Sequence, residues 1–206
     1  MYPVYYYEPK PPVRIGPFTF SRRELHDIFW SWLVISLAFT IVMSPSGLTP
    51  ALFGVFIFSA LTVGIGFLSH ELAHRTMARR YGCHAEFVGF PNMWWIALLS
   101  SLIGFIFAAP GAVMISGYVD RRRNGIISLA GPVTNLLIAI IFLALAPHLG
   151  DTILRDFALF GYRINGWLAL FNLIPFGGLD GSKVLAWNKG VYAAAFMAAF
   201  VFAFIL

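Results

Sequence analysis

The chain has 206 residues, 59% of them hydrophobic and 11% charged, with a formal net charge of +5 and a mean hydropathy of +0.79. Soluble domains are roughly 45–50% apolar and about 25% charged, so a water-soluble fold of this size has no interior large enough for this much apolar surface. The length suits one compact domain, and the single cysteine, Cys83, excludes a disulfide scaffold.

Residues 1–25 form a Tyr- and Pro-rich cytosolic or interfacial arm without the apolar run of a cleavable signal peptide. Pro11 and Pro12 bar a helix there. Ser21 is placed to cap a helix opening SRRELHDIF, with Glu24 completing a capping box. Residues 26–206 then read as a single membrane-embedded domain with its core at about 55–190. No Asp, Glu, Lys or Arg occurs between Asp27 and Glu71, Glu86 and Asp120, Asn124 and Gly150, Ile164 and Leu179, or after Lys189. A helix crossing the hydrocarbon needs about 20 apolar residues. The pattern predicts an all-α membrane protein with about five transmembrane helices, near 28–46, 51–78, 125–146, 157–179 and 190–206. The stretch 92–117 is long enough to cross but is cut by Gly104, Pro110 and Gly111. It reads as a re-entrant segment whose Pro110–Ile115 end is extended, an edge able to pair with an unwound peptide. Trp30, Trp32, Trp94, Trp95, Trp167 and Trp187 fall near the ends of these segments, where indoles favour the headgroup zone.

Basic residues set the orientation. With a cytosolic N-terminus and a returning 92–117, the cytosolic face holds Lys10, Arg14, Arg22, Arg23, Arg75, Arg79, Arg80, Arg121, Arg122, Arg123, Lys183 and Lys189. The outer face keeps Arg155 and Arg163, a ratio of twelve to two. A full crossing by 92–117 would reduce it to nine to five. The expected protein is therefore multi-pass, and its positive charge needs no nucleic acid as partner.

The strongest chemical signal is His70-Glu71-Leu72-Ala73-His74. On a helix, His70 and His74 share a face and offer two imidazole nitrogens to one metal. Glu71 sits beside them, where it can hold and deprotonate a water. Zinc is the expected ion, since it accepts two His and a carboxylate while leaving a position open. Ionisable groups inside an apolar layer are costly and mark function. Asp180 is the leading candidate for the third ligand. It closes Asn172-Leu173-Ile174-Pro175-Phe176-Gly177-Gly178-Leu179-Asp180, an apolar helix broken by Pro175, Gly177 and Gly178. Broken backbone at membrane depth is tolerated where it lines a cavity. Glu86 is a weaker alternative ligand, Cys83 reads as a small buried apolar residue and His84 as a loop residue. Asn135, in Ala130-Gly131-Pro132-Val133-Thr134-Asn135, either serves a substrate or makes an interhelical hydrogen bond, and Asn172 carries the same two readings.

HELAH in one membrane helix, AGPVTN at the start of the next core helix and NLIPFGGLDG in the third resemble, in that order, the site-2 protease family of intramembrane zinc metalloproteases. The resemblance covers about residues 55–190. It implies one zinc per chain held by His70, His74 and Asp180, with Glu71 as general acid/base. Asn135 and Asn172 would help position substrate or stabilise charge. The implied activity is hydrolysis of peptide bonds within the transmembrane segments of substrate proteins, at a site toward the cytosolic side of a microbial cell membrane. Its partners would be a transmembrane protein substrate and the lipid bilayer. Phe176-Gly177-Gly178 lengthens the usual third motif, and no PDZ-like insert is expected. The rival reading is a non-catalytic membrane metal-binding protein or carrier, which would need no general base at Glu71.

Overall fold

The computed structural model describes residues 11–44, 52–106 and 109–204. The start of the N-terminal arm and the outer ends of the predicted 28–46, 51–78 and 190–206 segments lie outside these residues. Helix dominates. α1 (Arg22–Met43) is followed by α2 (Leu52–Ser59), a π-helical turn (Ala60–Gly64) and α3 (Ile65–Arg80). After these come α4 (Pro91–Ser101), α5 (Arg121–Leu145), α6 (Ile153–Asn172), α7 (Asp180–Trp187) and α8 (Lys189–Phe204).

The expectation of an all-α chain is corrected by two antiparallel strand pairs. β1 (Val13–Ile15) pairs with β2 (Phe18–Phe20), and β3 (His84–Gly89) pairs with β4 (Gly111–Ser116). β-Branched and aromatic residues fit such half-buried surfaces, and Val13, Ile15, Phe87, Val113 and Ile115 supply them here. The register runs from His84 opposite Ser116 to Gly89 opposite Gly111. The chain that leaves at residue 89, forms α4 and re-enters as β4 therefore returns to the level at which it left.

Among the described residues, three helical segments are long and apolar enough to cross a bilayer: Arg22–Met43, Leu52–Arg80 and Arg121–His148. The expected fourth span is shifted. α6 starts earlier than 157, carries Arg155, Asp156 and Arg163, and ends at Asn172. Pro175 and the left-handed Gly177 (φ 58°) prevent its continuation to residue 179. α8 spans 16 described residues. At the centre, α5 packs against α3, α6 and α7.

Ser21 caps α1, with its Oγ accepting the Glu24 N–H at 2.9 Å. The other half of the capping box is absent, because the Glu24 carboxylate is committed elsewhere. It takes Arg75 Nε at 2.6 Å and Arg75 Nη2 at 2.9 Å, and both residues are buried. Arg75 also donates to Thr19 O at 2.5 Å and lies over the Phe20 ring, fixing the β1–β2 hairpin to α3. Arg75, which the sequence assigns to the cytosolic cations, is thus an internal partner of Glu24 and leaves the exposed tally.

The same face of α1 closes one edge of the β3–β4 sheet. The Phe87 N–H donates to Glu24 Oε1 at 2.9 Å, and the Gly89 N–H donates to Asp27 Oδ2 at 3.1 Å. One turn further, Ser31 Oγ donates to Pro110 O at 3.1 Å. Two carboxylates three residues apart on a helix match alternate amides of a strand, so β3 offers no free edge there.

Removing one partner of a buried ion pair typically costs about 3–5 kcal/mol, because the other charge is stranded. Glu24→Ala should therefore lower stability by about that amount, read as a reduced denaturation midpoint of the detergent-solubilised protein. An unchanged midpoint would show that Arg75 finds other acceptors.

Candidate metal centre

Three elements converge on one point. α3 brings His70, Glu71 and His74, α5 brings Gly131 and Asn135, and the N-terminus of α7 brings Asp180. His70, His74 and Asp180 are all buried. Asp180 Oδ2 lies 3.2 Å from His70 Nε2 and 3.0 Å from His74 Nε2. The two imidazole Nε2 atoms are 3.0 Å apart. Among the described residues, this is the group of His, Cys, Asp and Glu side chains placed to share a metal ion. Zinc–ligand bonds of about 2.0–2.2 Å in a tetrahedron give ligand separations of about 3.3–3.6 Å, a little wider than this triangle.

The hydrogen-bond inventory strengthens the fit. His74 Nδ1 lies 2.7 Å from the backbone carbonyl of Ile127, which can only accept. His70 Nδ1 lies 2.6 Å from Asn135 Oδ1. The Asn135 amide nitrogen already donates twice, to Gly66 O at 3.1 Å and Asn165 Oδ1 at 3.0 Å, so its oxygen must face His70. Each neutral imidazole therefore carries its proton on Nδ1 and turns a lone pair on Nε2 inward. Two lone pairs and a carboxylate oxygen then face one another with no donor among them, an arrangement a cation resolves.

Local sequence explains how the backbones come so close. A Cβ on Gly131 would stand 2.5 Å from Nε2 of both His70 and His74, in the space an ion would take. A Cβ on Gly181 would collide with the carbonyl oxygen of Leu173, so the glycine lets α7 begin against the end of α6 and carry Asp180 inward.

Glu71 stands outside the triangle. Its Oε2 accepts the Val113 N–H of β4 at 3.0 Å, and it lines the same cleft as the triad. That cleft, of about 180 Å³, is also walled by Gly111, Ile115, Asn124, Ser128 and Lys183. Val113 and Phe87 are register partners whose amides point away from each other, to Glu71 and Glu24 respectively. By strand alternation Ile115 shares the outward direction of Val113. The outer edge of β4 thus faces the cleft, while α1 covers the outer edge of β3.

The two tentative residues separate. Asn135 is fully buried and bonded to His70. Asn172 lines the cleft, but its amide donates back to Leu168 O of its own helix at 2.9 Å. Glu86 accepts from Ser21 Oγ and lies 3.9 Å from the exposed His84, away from the triad. His84 opens β3 rather than sitting in a loop. Cys83 is buried with Ala78, Ala85 and Ile127, the apolar role expected of it. Asn165 was not visible in the sequence as a site residue, since a lone amide inside an apolar helix has no motif around it.

Comparison with known proteins places this geometry. Residues 58–158 match Peptidase family M50. The chain is 39% identical over 183 residues to MJ0611 of Methanocaldococcus jannaschii, provisionally named a zinc metalloprotease, covering 85% of this chain and 90% of that one. It is 31% identical over 172 residues to Rip3 of Mycobacterium tuberculosis, provisionally named likewise, covering 77% of this chain but 39% of that longer protein. Identity to YwhC of Bacillus subtilis, also provisionally a zinc metalloprotease, is 31% over 144 residues, covering 61% of this chain and 66% of YwhC. No solved structure matches. With HELAH, the buried Asp180 and these relatives in agreement, the chain belongs to peptidase family M50, the site-2 protease family.

Proposed function

We propose that the protein is an intramembrane zinc metalloendopeptidase that hydrolyses peptide bonds within transmembrane segments of other proteins. The observation that carries this reading is the inward-facing set of His70 Nε2, His74 Nε2 and Asp180 Oδ2 with the Glu71 carboxylate beside it in one cleft. These three would hold one zinc per chain. When bound, zinc supplies Lewis acidity toward water and the scissile carbonyl.

Glu71 is the proton carrier. It takes a proton from the attacking water and delivers it to the leaving amine nitrogen. A helical substrate hides its carbonyls in i→i−4 bonds, so it must unwind before attack. Its freed N–H and C=O groups then need partners in a medium without water. The cleft-facing edge of β4 answers that need by pairing with the substrate as an added strand. Asn135 holds His70 in place, and Asn172 contributes cleft wall.

Orientation follows from charge and register together. The basic residues favour a multi-pass protein with a cytosolic N-terminus and a site toward the cytosolic side. The pairing of Gly89 with Gly111 supports a segment 92–117 that returns to the side it left. Moving Arg75 to the interior subtracts one cation without altering the sign of the bias.

Glu71→Gln should retain one zinc per chain by metal analysis while cleavage of a transmembrane peptide falls by about 10²–10⁴-fold. Retained cleavage would remove Glu71 as the base. Gly131→Ala should do the reverse at the metal: the protein accumulates but binds no zinc, because the methyl takes the ion's place. Ile115→Pro deletes one outward amide of β4 and should lower cleavage by about tenfold, the worth of one hydrogen bond, with zinc content unchanged. Equal cleavage would count against strand addition.

A further inference from the structure

We infer that Asn165 is a positioning residue for the metal centre, acting through Asn135 to fix which nitrogen of His70 faces the metal. It rests on the reading of His70 as a metal ligand, and it adds a residue that touches neither metal nor substrate.

The inference comes from following each proton. Asn165 is completely buried on α6, the helix that brings no ligand to the centre. Its Nδ2 donates to Gly161 O, one turn back on the same helix, at 2.8 Å. That bond turns its Oδ1 toward α5, where it accepts from Asn135 Nδ2 at 3.0 Å. Gly66 O of α3 accepts the second Asn135 hydrogen. Asn135 Oδ1 is then left for His70 Nδ1–H. Three helices are thereby joined by a directional chain running Gly161, Asn165, Asn135, His70.

Direction is what matters. Without Asn165, the Asn135 amide is held against turning over by Gly66 O alone, one of the two acceptors that fix its direction. A turned amide presents N–H to His70 Nδ1, which must then accept, and the imidazole proton moves to Nε2. That proton would point at the carboxylate of Asp180 and occupy the direction reserved for the metal. Partners of this kind, which hold a metal-bound imidazole from behind, commonly contribute 10–100-fold in metal affinity. The packing of α3 on α6 is built around the same amide: a Cβ on Gly66 would overlap Asn165 Oδ1. Tyr162, on the same helix, is a useful contrast. It is buried and donates to Phe202 O at 2.8 Å, outside the chain that reaches His70.

The test is zinc affinity of the purified protein in detergent, measured by competition with a chelator of known affinity. Asn165→Leu keeps the volume but removes the acceptor, and should raise the zinc Kd by about 10–100-fold. Asn165→Asp should restore wild-type affinity. In that buried place the neutral acid keeps a carbonyl for Asn135 and offers O–H to Gly161 O. Tyr162→Phe should lower thermal stability and leave zinc affinity unchanged. Should the leucine variant fail to accumulate, Asn165→Ala is read in its place. Wild-type affinity in the leucine or alanine variant would overturn the inference. So would equal weakening by aspartate and leucine, or a loss in Tyr162→Phe as large as in Asn165→Leu. A wild-type protein that binds no zinc would instead overturn the metal-centre reading itself.

Discussion

Two imidazole lone pairs and a carboxylate oxygen within about 3 Å of one another repel unless something positive lies between them. The rest of the site is arranged to maintain that condition. Ile127 O and Asn135 Oδ1 hold both imidazole protons on the far side of their rings. Gly131 withholds the one atom that would fill the gap. The triad is buried, so solvent does little to damp its electrostatics. The backbone and side-chain acceptors behind the histidines matter as much as the three inward-facing atoms, because a proton on the wrong nitrogen removes an inward lone pair without moving a heavy atom.

The β3–β4 sheet solves a second problem in the same low-polarity setting. An open strand edge leaves unpaired amides, and in hydrocarbon each costs several kcal/mol. Here the two edges receive opposite treatment. α1 covers β3 with Glu24 and Asp27, whose carboxylates take alternate amides. β4 is left facing the cleft, with the Val113 amide on Glu71. Glu24 is itself neutralised by Arg75, one residue past His74, so α1, the sheet and α3 share a single buried charge pair.

The sequence brought His70, His74 and Asp180 forward as one candidate group because its spacing is a statement about geometry, and the structure gathers the three. Two histidines four apart must share a helix face, and an aspartate after Pro175, Gly177 and Gly178 must stand where a helix has been broken. The apolar runs likewise exposed the long segments at 22–43, 52–80 and 121–148. What stayed hidden was pairing between distant elements. Nothing local distinguishes Arg75 from the neighbouring Arg79 and Arg80, yet it is buried on Glu24 while both of those are exposed. Glu24 looked like half of a capping box, and a tertiary partner outcompeted the local one. Asn165 carries no motif, and its role depends on Gly161, Gly66 and Asn135 from three helices. β4 was legible in the extended reading of Pro110–Ile115, but β3 and the β1–β2 hairpin were obscured because short apolar runs fit helix and strand equally well.

Regular helices deliver side chains, but they pair their own backbone carbonyls, and this protein also needs helix carbonyls to hold side chains of other helices. The helical rods are interrupted near the places where that need arises. In the second long apolar segment, the π-helical turn precedes His70 by less than two helical turns, and Ala60 O there accepts the Trp32 indole N–H at 3.1 Å, binding α1 to the segment that carries His70 and His74. In α5, Pro132 lacks the N–H that would reach the carbonyl of Ser128. The carbonyl just before it, Ile127 O, is the one that receives His74 Nδ1. At the end of α6, the break through Pro175 and Gly177 allows a new helix to start with Asp180 at its first position. Each irregularity weakens a helix, and each lies beside a contact on which the site depends.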